Sequence, residues 1–152
     1  MDLQKVLVRW RNKMVEENIK NSVEGKEVFA RGIGLHVSNK QSQYICKFIK
    51  GKSLDKALAD LQKVINYKLA VPFKGEIPHR KGMMSGRYPI NASKEFIYLI
   101  KGLKGSAISK GLELEKTKIY FGNTTLSSRP SRSGGRRAKR TNVILKAKEF
   151  EN

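Results

Sequence analysis

Three side chains in this 152-residue sequence have the intrinsic chemistry of a nucleophile, a base or a soft metal ligand: Cys46, His36 and His79. A zinc site built on them would need carboxylates brought in from afar, because no ligand spacing joins them. Cys46 follows Tyr44-Ile45 and reads as a small core residue rather than a thiolate. One cysteine allows no internal disulfide and fits a reducing compartment. His36, at the end of a strand-like run, reads as a packed or solvent histidine rather than a base. Asp55 and Asp60 stand five apart on a helical pattern, and Glu113 and Glu115 would share one face of a strand, but neither pair has a histidine or metal partner nearby. Gly32-Ile33-Gly34 lacks the third glycine of a dinucleotide fingerprint. Ser133-Gly134-Gly135-Arg136-Arg137 lacks the spaced glycine, lysine and hydroxyl of a phosphate loop. The expectation is a protein that is not an enzyme, with no cofactor and no metal; an RNA-cleaving activity would have only the two histidines to rest on.

The chemistry the sequence does offer in quantity is neutralisation of anions. Lys and Arg number 32 against 13 acids, a net charge of +19, which points to nucleic acid or an anionic surface. The charge is concentrated. Between Glu115 and Glu149 there is no acid, and Arg129, Arg132, Arg136, Arg137, Lys139 and Arg140 crowd around Pro130 and Gly134-Gly135. From Asn123 to Asn142 only Leu126 and Ala138 carry carbon to bury, so this stretch cannot offset its own ordering entropy. A second cationic segment, with Lys74, His79, Arg80, Lys81 and Arg87, is broken by Pro72, Pro78, Pro89, Gly75, Gly82 and Gly86, which rule out a long regular element.

Elements must hold those charges in place. Thr117 to Phe121 and Val143 to Ala147 are β-branched, aromatic and partly alternating, as half-buried strands are. Pairing Ile119 to Phe121 with Val143 to Leu145 sends the chain out and back around a Ser133-Gly134-Gly135 turn, a limb of roughly 35–40 Å if extended. A disordered basic loop closing a short hairpin remains the plainer alternative. Glu27 to Val37 reads as a first strand, with Val28 and Ala30 alternating against Glu27, Phe29 and Arg31. Ser38-Asn39-Lys40-Gln41 has the form of a capping box and opens a helix through Tyr44, Ile45, Phe48 and Ile49 that ends at Gly51. Ser53 caps a second helix, where Leu54, Ala57, Leu58, Leu61, Val64 and Ile65 keep helical spacing over three turns. A third, from about Ala92 to Lys110, buries Phe96, Ile100, Leu103 and Ala107, while Gly102 and Gly105 either admit a close neighbour or are simply tolerated.

The order predicts an α+β architecture, three helices packed on a small three-stranded antiparallel sheet with a long protruding basic β-hairpin at about 117–148. Residues 27–152 form one domain on this reading. Residues 1–26 form a basic helical extension, which either lays Arg9, Arg11 and Lys13 on phosphates or packs Trp10 against the domain. A mitochondrial presequence is disfavoured by Glu16 and Glu17. No signal peptide or membrane span is expected, since no apolar run is long enough.

Several short motifs in order resemble a known family. Phe29-Ala30-Arg31 with Leu35-His36-Val37-Ser38, then Ile49-Lys50-Gly51-Lys52-Ser53-Leu54-Asp55-Lys56-Ala57, resembles the start of the large-subunit ribosomal protein numbered twenty-two in bacteria and seventeen in eukaryotes. Ala70-Val71-Pro72-Phe73, His79-Arg80-Lys81-Gly82 and Gly86-Arg87-Tyr88-Pro89 are similar to the insertion of its archaeal and eukaryotic branch, and Lys110-Gly111-Leu112 and Lys139-Arg140-Thr141 continue the match over about 28–149. The resemblance implies a cytoplasmic, ribosomal location as a monomer within the large subunit. Its partners would be large-subunit ribosomal RNA, neighbouring ribosomal proteins and the nascent peptide, with no membrane.

By position, Arg31, His36, Ser38, Asn39, Lys40, Lys50 and Lys52 would contact RNA from the globular part. Lys74, His79, Arg80, Lys81 and Arg87 would do so from the insertion, and the six cations from Arg129 to Arg140 from the hairpin. The tip lining the peptide exit tunnel would be Arg129, Pro130, Ser131, Arg132, Ser133, Gly134, Gly135 and Arg136. Here the family's Pro-Arg-Ala, one residue, Gly-Arg is altered to Pro130-Ser131-Arg132-Ser133-Gly134-Gly135-Arg136, and residues 1–26 do not match its usual start. A DNA or RNA architectural protein using a basic β-ribbon is the other class the charge allows.

Overall fold

Alternation builds the sheet. In β1 (Glu27–Leu35), Val28 is buried and Ala30 half-buried, while Glu27, Phe29 and Arg31 stand exposed between them. That is the period of a strand covered on one face only. β4 (Thr117–Leu126) and β5 (Thr141–Glu149) complete an antiparallel sheet in the order β1-β5-β4. The last strand is therefore central, and Val143, Leu145 and Ala147 turn into the core. The computed structural model describes residues 27–75, 78–129, 134 and 138–150. The helix expected within 1–26 lies outside them.

Three helices cover the inner face of this sheet, as the sequence pattern requires. α1 (Asn39–Ile49) buries Ile45, Cys46 and Ile49; α2 (Leu54–Ile65) buries Leu54, Ala57, Leu61 and Val64; α3 (Ile90–Ser109) buries Phe96, Ile100, Leu103 and Ala107. With Val28, Ile119, Val143 and Leu145 they form one continuous core, each fully buried Leu or Ile contributing about 1.5–3 kcal/mol. The architecture is the expected two-layer α+β sandwich.

Local detail departs from expectation at four places. Ser38 and Ser53 occupy the N-cap positions of α1 and α2 with extended backbone, but neither side chain bonds back to the helix. At α1 the Ser38 carbonyl accepts from the amide and the hydroxyl of Ser42, at 2.9 and 3.0 Å. Ser42 is buried and must find an acceptor, whereas the more open first turn leaves its amides to water. Second, Ile119 lies opposite Ala147 and Phe121 opposite Lys146, not opposite residues 143–145. A bulge at Tyr120 adds a residue to β4, and the ladder continues through Thr124, Thr125 and Leu126 to Thr141, because backbone pairing needs no apolar side chain. Third, the proline- and glycine-rich stretch after α2 forms a short antiparallel ribbon, β2 (Val71–Phe73) with β3 (Ser85–Arg87). Fourth, Glu113 and Glu115 lie in the turn before β4 and not on a strand.

Two further contacts fix the parts that matter for charge. Gly51 adopts φ +81° after the end of α1, a left-handed cap that costs glycine least. Its amide then donates to the Ile119 carbonyl at 2.7 Å, and the Ile119 amide donates to Lys52 at 3.0 Å, so the α1–α2 link is stitched to the edge of β4. The β2–β3 ribbon is held to the body by Val64, Val71 and Phe73 packed with Tyr44, Phe48 and Leu69.

Candidate nucleic-acid interface

Where the last inward apolar side chain ends, the ribbon of β4 and β5 continues as backbone. Thr124 pairs with Val143 and Leu126 with Thr141, and one further bond runs from the Ser127 amide to the Arg140 carbonyl at 3.2 Å. Leu126 is 60% exposed, Arg129 and Lys139 are exposed, and Gly134 sits in a turn. The remaining tip residues expected to bind RNA or line a tunnel, Pro130, Ser131, Arg132, Ser133, Gly135, Arg136 and Arg137, lie outside the described residues.

The root of this limb is tied to the β1–α1 connection. The Arg140 guanidinium donates to the Gly34 carbonyl at 3.1 Å, and the Gly34 amide donates to Asn142 Oδ1 at 2.8 Å. Thr141 Oγ1 donates to the Val37 carbonyl at 2.9 Å. The structure thereby brings the exposed His36 and Lys40, with half-exposed Ser38 and Asn39, beside the root of the cationic limb. Arg140 is half-buried and bonded within the protein, so it positions this junction as well as adding charge. Arg31 stands exposed on β1 two strands from β4.

The other expected contacts sit in different surroundings. Lys50 is exposed, but Lys52 is engaged: its ammonium lies 2.7 Å from Asp60 Oδ2 and 3.5 Å from the centre of the Phe48 ring. On the β2–β3 ribbon Lys74, His79, Arg80, Lys81 and Arg87 are all exposed. Arg80 lies 5.8 Å from the Tyr88 ring, Arg87 5.6 Å from that of Phe73, and Tyr67 and Tyr88 rings are 5.3 Å apart. These are cations set over aromatic faces, a surface suited to phosphates and to flat rings. Sequence reasoning missed Tyr67 and Tyr88 as members of this cluster; Gly86-Arg87-Tyr88-Pro89 was legible as a loop motif, but the Tyr67 contact arises only when the ribbon folds back.

Acids on the body are mostly matched. Asp60 bridges Lys52 and Lys63, Asp55 meets Lys104 at 2.5 Å, Glu113 meets Lys116 at 2.7 Å and Glu27 meets Lys146 at 3.1 Å. Among the described residues none of these carboxylates pairs with a cation of the limb. Cys46 is buried, and burial pushes its thiol up to about 12, so it is a neutral packing group at physiological pH. Among the described residues no three His, Cys, Asp or Glu side chains group closely enough to hold a metal ion, and no helix is long and apolar enough to cross a membrane.

No family model matches the chain. Among curated proteins it is 39% identical over 100 residues to the large ribosomal subunit protein uL22 of Methanococcus aeolicus, covering 62% of this chain and 65% of that one. It is 36% identical over 107 residues to the uL22 of Methanothrix thermoacetophila, covering 66% and 70%, and 38% identical over 111 residues to that of Methanococcus maripaludis, covering 69% of each. The matched stretch thus spans a little under two thirds of the first relative's length and slightly more of the other two.

Proposed function

The chain belongs to the uL22 family of large ribosomal subunit proteins, and from that premise we propose that it is a structural, non-catalytic constituent of the large subunit whose cations fold ribosomal RNA around them. The observation that carries this reading is the ribbon of β4 and β5. It is anchored by Ile119, Val143 and Leu145, stays hydrogen-bonded as far as Ser127 and Arg140, and bears no acid between Glu115 and Glu149. Lys and Arg on the limb, the β1–α1 connection and the β2–β3 ribbon neutralise phosphates and release counterions, so affinity comes from charge and shape rather than base readout. The limb enters the folded RNA, and the segment from Arg129 to Arg136 lines the peptide exit tunnel. Residues 27–152 act as one domain, with 1–26 as a basic extension.

The test is to excise residues 128–139 and close the Ser127–Arg140 pair with a short glycine turn. The body folds, with unchanged helical circular dichroism, but binds large-subunit ribosomal RNA at least tenfold more weakly. The slope of log K against log salt falls by about 3 to 4 if each of the five deleted cations neutralises one phosphate. Unchanged affinity and slope would remove the limb from the RNA interface.

A further inference from the structure

Among the described residues all three helices lie on one face of the sheet, and none of them covers the opposite face. Its composition is unusual for a solvent face. Register places Phe29, Lys146 and Phe121 side by side across β1, β5 and β4, and Arg31, Ile144 and Asn123 in the adjacent row. Phe29 is 66% exposed and Phe121 40%. Single exposed apolar residues need no explanation, but two phenylalanines in one cross-strand row, separated by a lysine, form a patch with a pattern.

The bulge creates half of this patch. Tyr120 and Phe121 both oppose Lys146, so two consecutive aromatic side chains leave on the outer side, their ring centres 6.4 Å apart. Tyr120 reaches across β5 to donate its hydroxyl to Glu27, which also meets Lys146. The Glu27 carboxylate, the one on this face among the described residues, is thereby occupied. Arg31, Lys118, Lys146 and Lys148 leave the surface cationic, and Lys146 lies 6.0 Å from the Phe121 ring, with Lys148 5.6 Å from that of Tyr120. Phe29 and Phe121 stand two strand spacings apart, about 9.5 Å. That is too far to stack on one another, so each can take a flat guest on its open face.

We propose that this open sheet face binds a single-stranded segment of RNA, with unpaired bases stacked on Phe29 and Phe121 and the intervening phosphates held by Arg31, Lys146 and Lys148. The inference rests on the RNA-binding reading above and adds to it a second mode of contact, by base planes rather than charge alone. Occupancy by an anionic strand follows from charge complementarity. Aromatic side chains set among cations on a sheet are a surface on which bases of any identity can lie, because every base has a π-face. A duplex hides its base planes and gains nothing from the rings.

The test compares full-length protein with a Phe29→Ala/Phe121→Ala variant on a short single-stranded RNA of mixed sequence and on the same sequence as a duplex. Single-strand affinity falls at least tenfold at unchanged salt slope, duplex affinity stays within about twofold, and Phe29→Tyr/Phe121→Tyr, which keeps the rings, binds like the parent. Should the alanine pair lower thermal stability, Phe29→Leu/Phe121→Leu keeps the apolar volume and supplies the same comparison. Equal losses on both RNAs, or none, overturn stacking. RNA binding retained alongside failure to enter large subunits also overturns it, assigning the face to a protein neighbour. If the unmodified chain binds neither RNA in a salt-dependent way, the RNA-binding reading itself fails; if it binds both and the alanine pair does too, only the stacking inference does.

Discussion

The β4–β5 ribbon has two halves that share one hydrogen-bond ladder and differ in everything else. At its root, Ile119, Val143, Leu145 and Ala147 are wholly buried under the helices. In the limb, the paired Thr125, Leu126 and Asn142 face solvent or lie half-open. Backbone pairing sets the path of both halves; the root adds buried apolar area, whereas the start of the limb is held by hydrogen bonds of Arg140, Thr141 and Asn142 to the β1–α1 connection. This separation allows a protein to carry a dense cationic segment without endangering its core. It is broken most directly by Leu145→Ala, expected to cost about 2–5 kcal/mol through lost transfer energy and the cavity left behind. Leu126→Ala, six residues from the bulge on the same ribbon, is expected to stay within about 0.5 kcal/mol. Thermal unfolding followed by circular dichroism decides; comparable losses at both sites would mean the limb is packed.

Gly122 lies opposite Leu145 within the root, and a smaller effect there sharpens the comparison. A Cβ on Gly122 would stand 3.2 Å from Cys46 Cβ and Sγ and from Leu145 Cδ2, tighter than ordinary packing. Gly122→Val should cost about 1–3 kcal/mol through displaced neighbours. Cys46→Ala, mild cavity and all, should recover part of that loss when combined with it, since the two sites are in contact and their effects are not additive. A purely additive double variant would place the pressure elsewhere, on Leu145.

Why some of this was legible in the sequence and some was not follows from the same division. Leu54, Ala57, Leu61 and Val64 had to be a helix because their spacing has one use, and Phe96 to Ala107 likewise. The cationic stretch was legible as something that cannot make its own core. The bulge was not, because Ile119, Tyr120 and Phe121 are all good strand residues and nothing local says which one is extra; its consequence, the register opposite Lys146, was missed with it. Extension of β4 to Leu126 was hidden by threonines that pair through backbone alone. The β2–β3 ribbon was hidden by Pro72 and Gly86, which sit opposite one another in a pairing too short to show periodicity. The capping box had the right residues and lacks its side-chain bond at Ser38, whose carbonyl accepts from both the amide and the hydroxyl of Ser42. Of the candidate site, charge was readable from residue type, whereas the outward aromatic row needed the register.

The smallest expected effect concerns Glu27, the carboxylate on the outer face. The Tyr120 hydroxyl donates to Glu27 and, with Lys146 beside it, holds this carboxyl below its usual 4.5. A depressed folded-state value means the unfolded chain takes up the proton first as acid is added. The contribution is therefore complete above about 4.5 and fades as pH falls through the lower folded value. For Tyr120 the sign is reversed: burial, then the bond to Glu27, pushes the phenol up to about 12 from 10.0. Its contribution is present below 10 and lost as pH rises through about 12. Glu27 is exposed, so the acid-side change should be only about 0.5 kcal/mol or less. Glu27→Gln should flatten that acid-side loss and bring tyrosinate absorbance from Tyr120 back toward pH 10. Excising residues 128–139, which contain no acid, should leave both features as they are. A shifted acid limb in the excised protein would mean that the tip's cations reach back to the root, and that the two halves of the ribbon are electrostatically one.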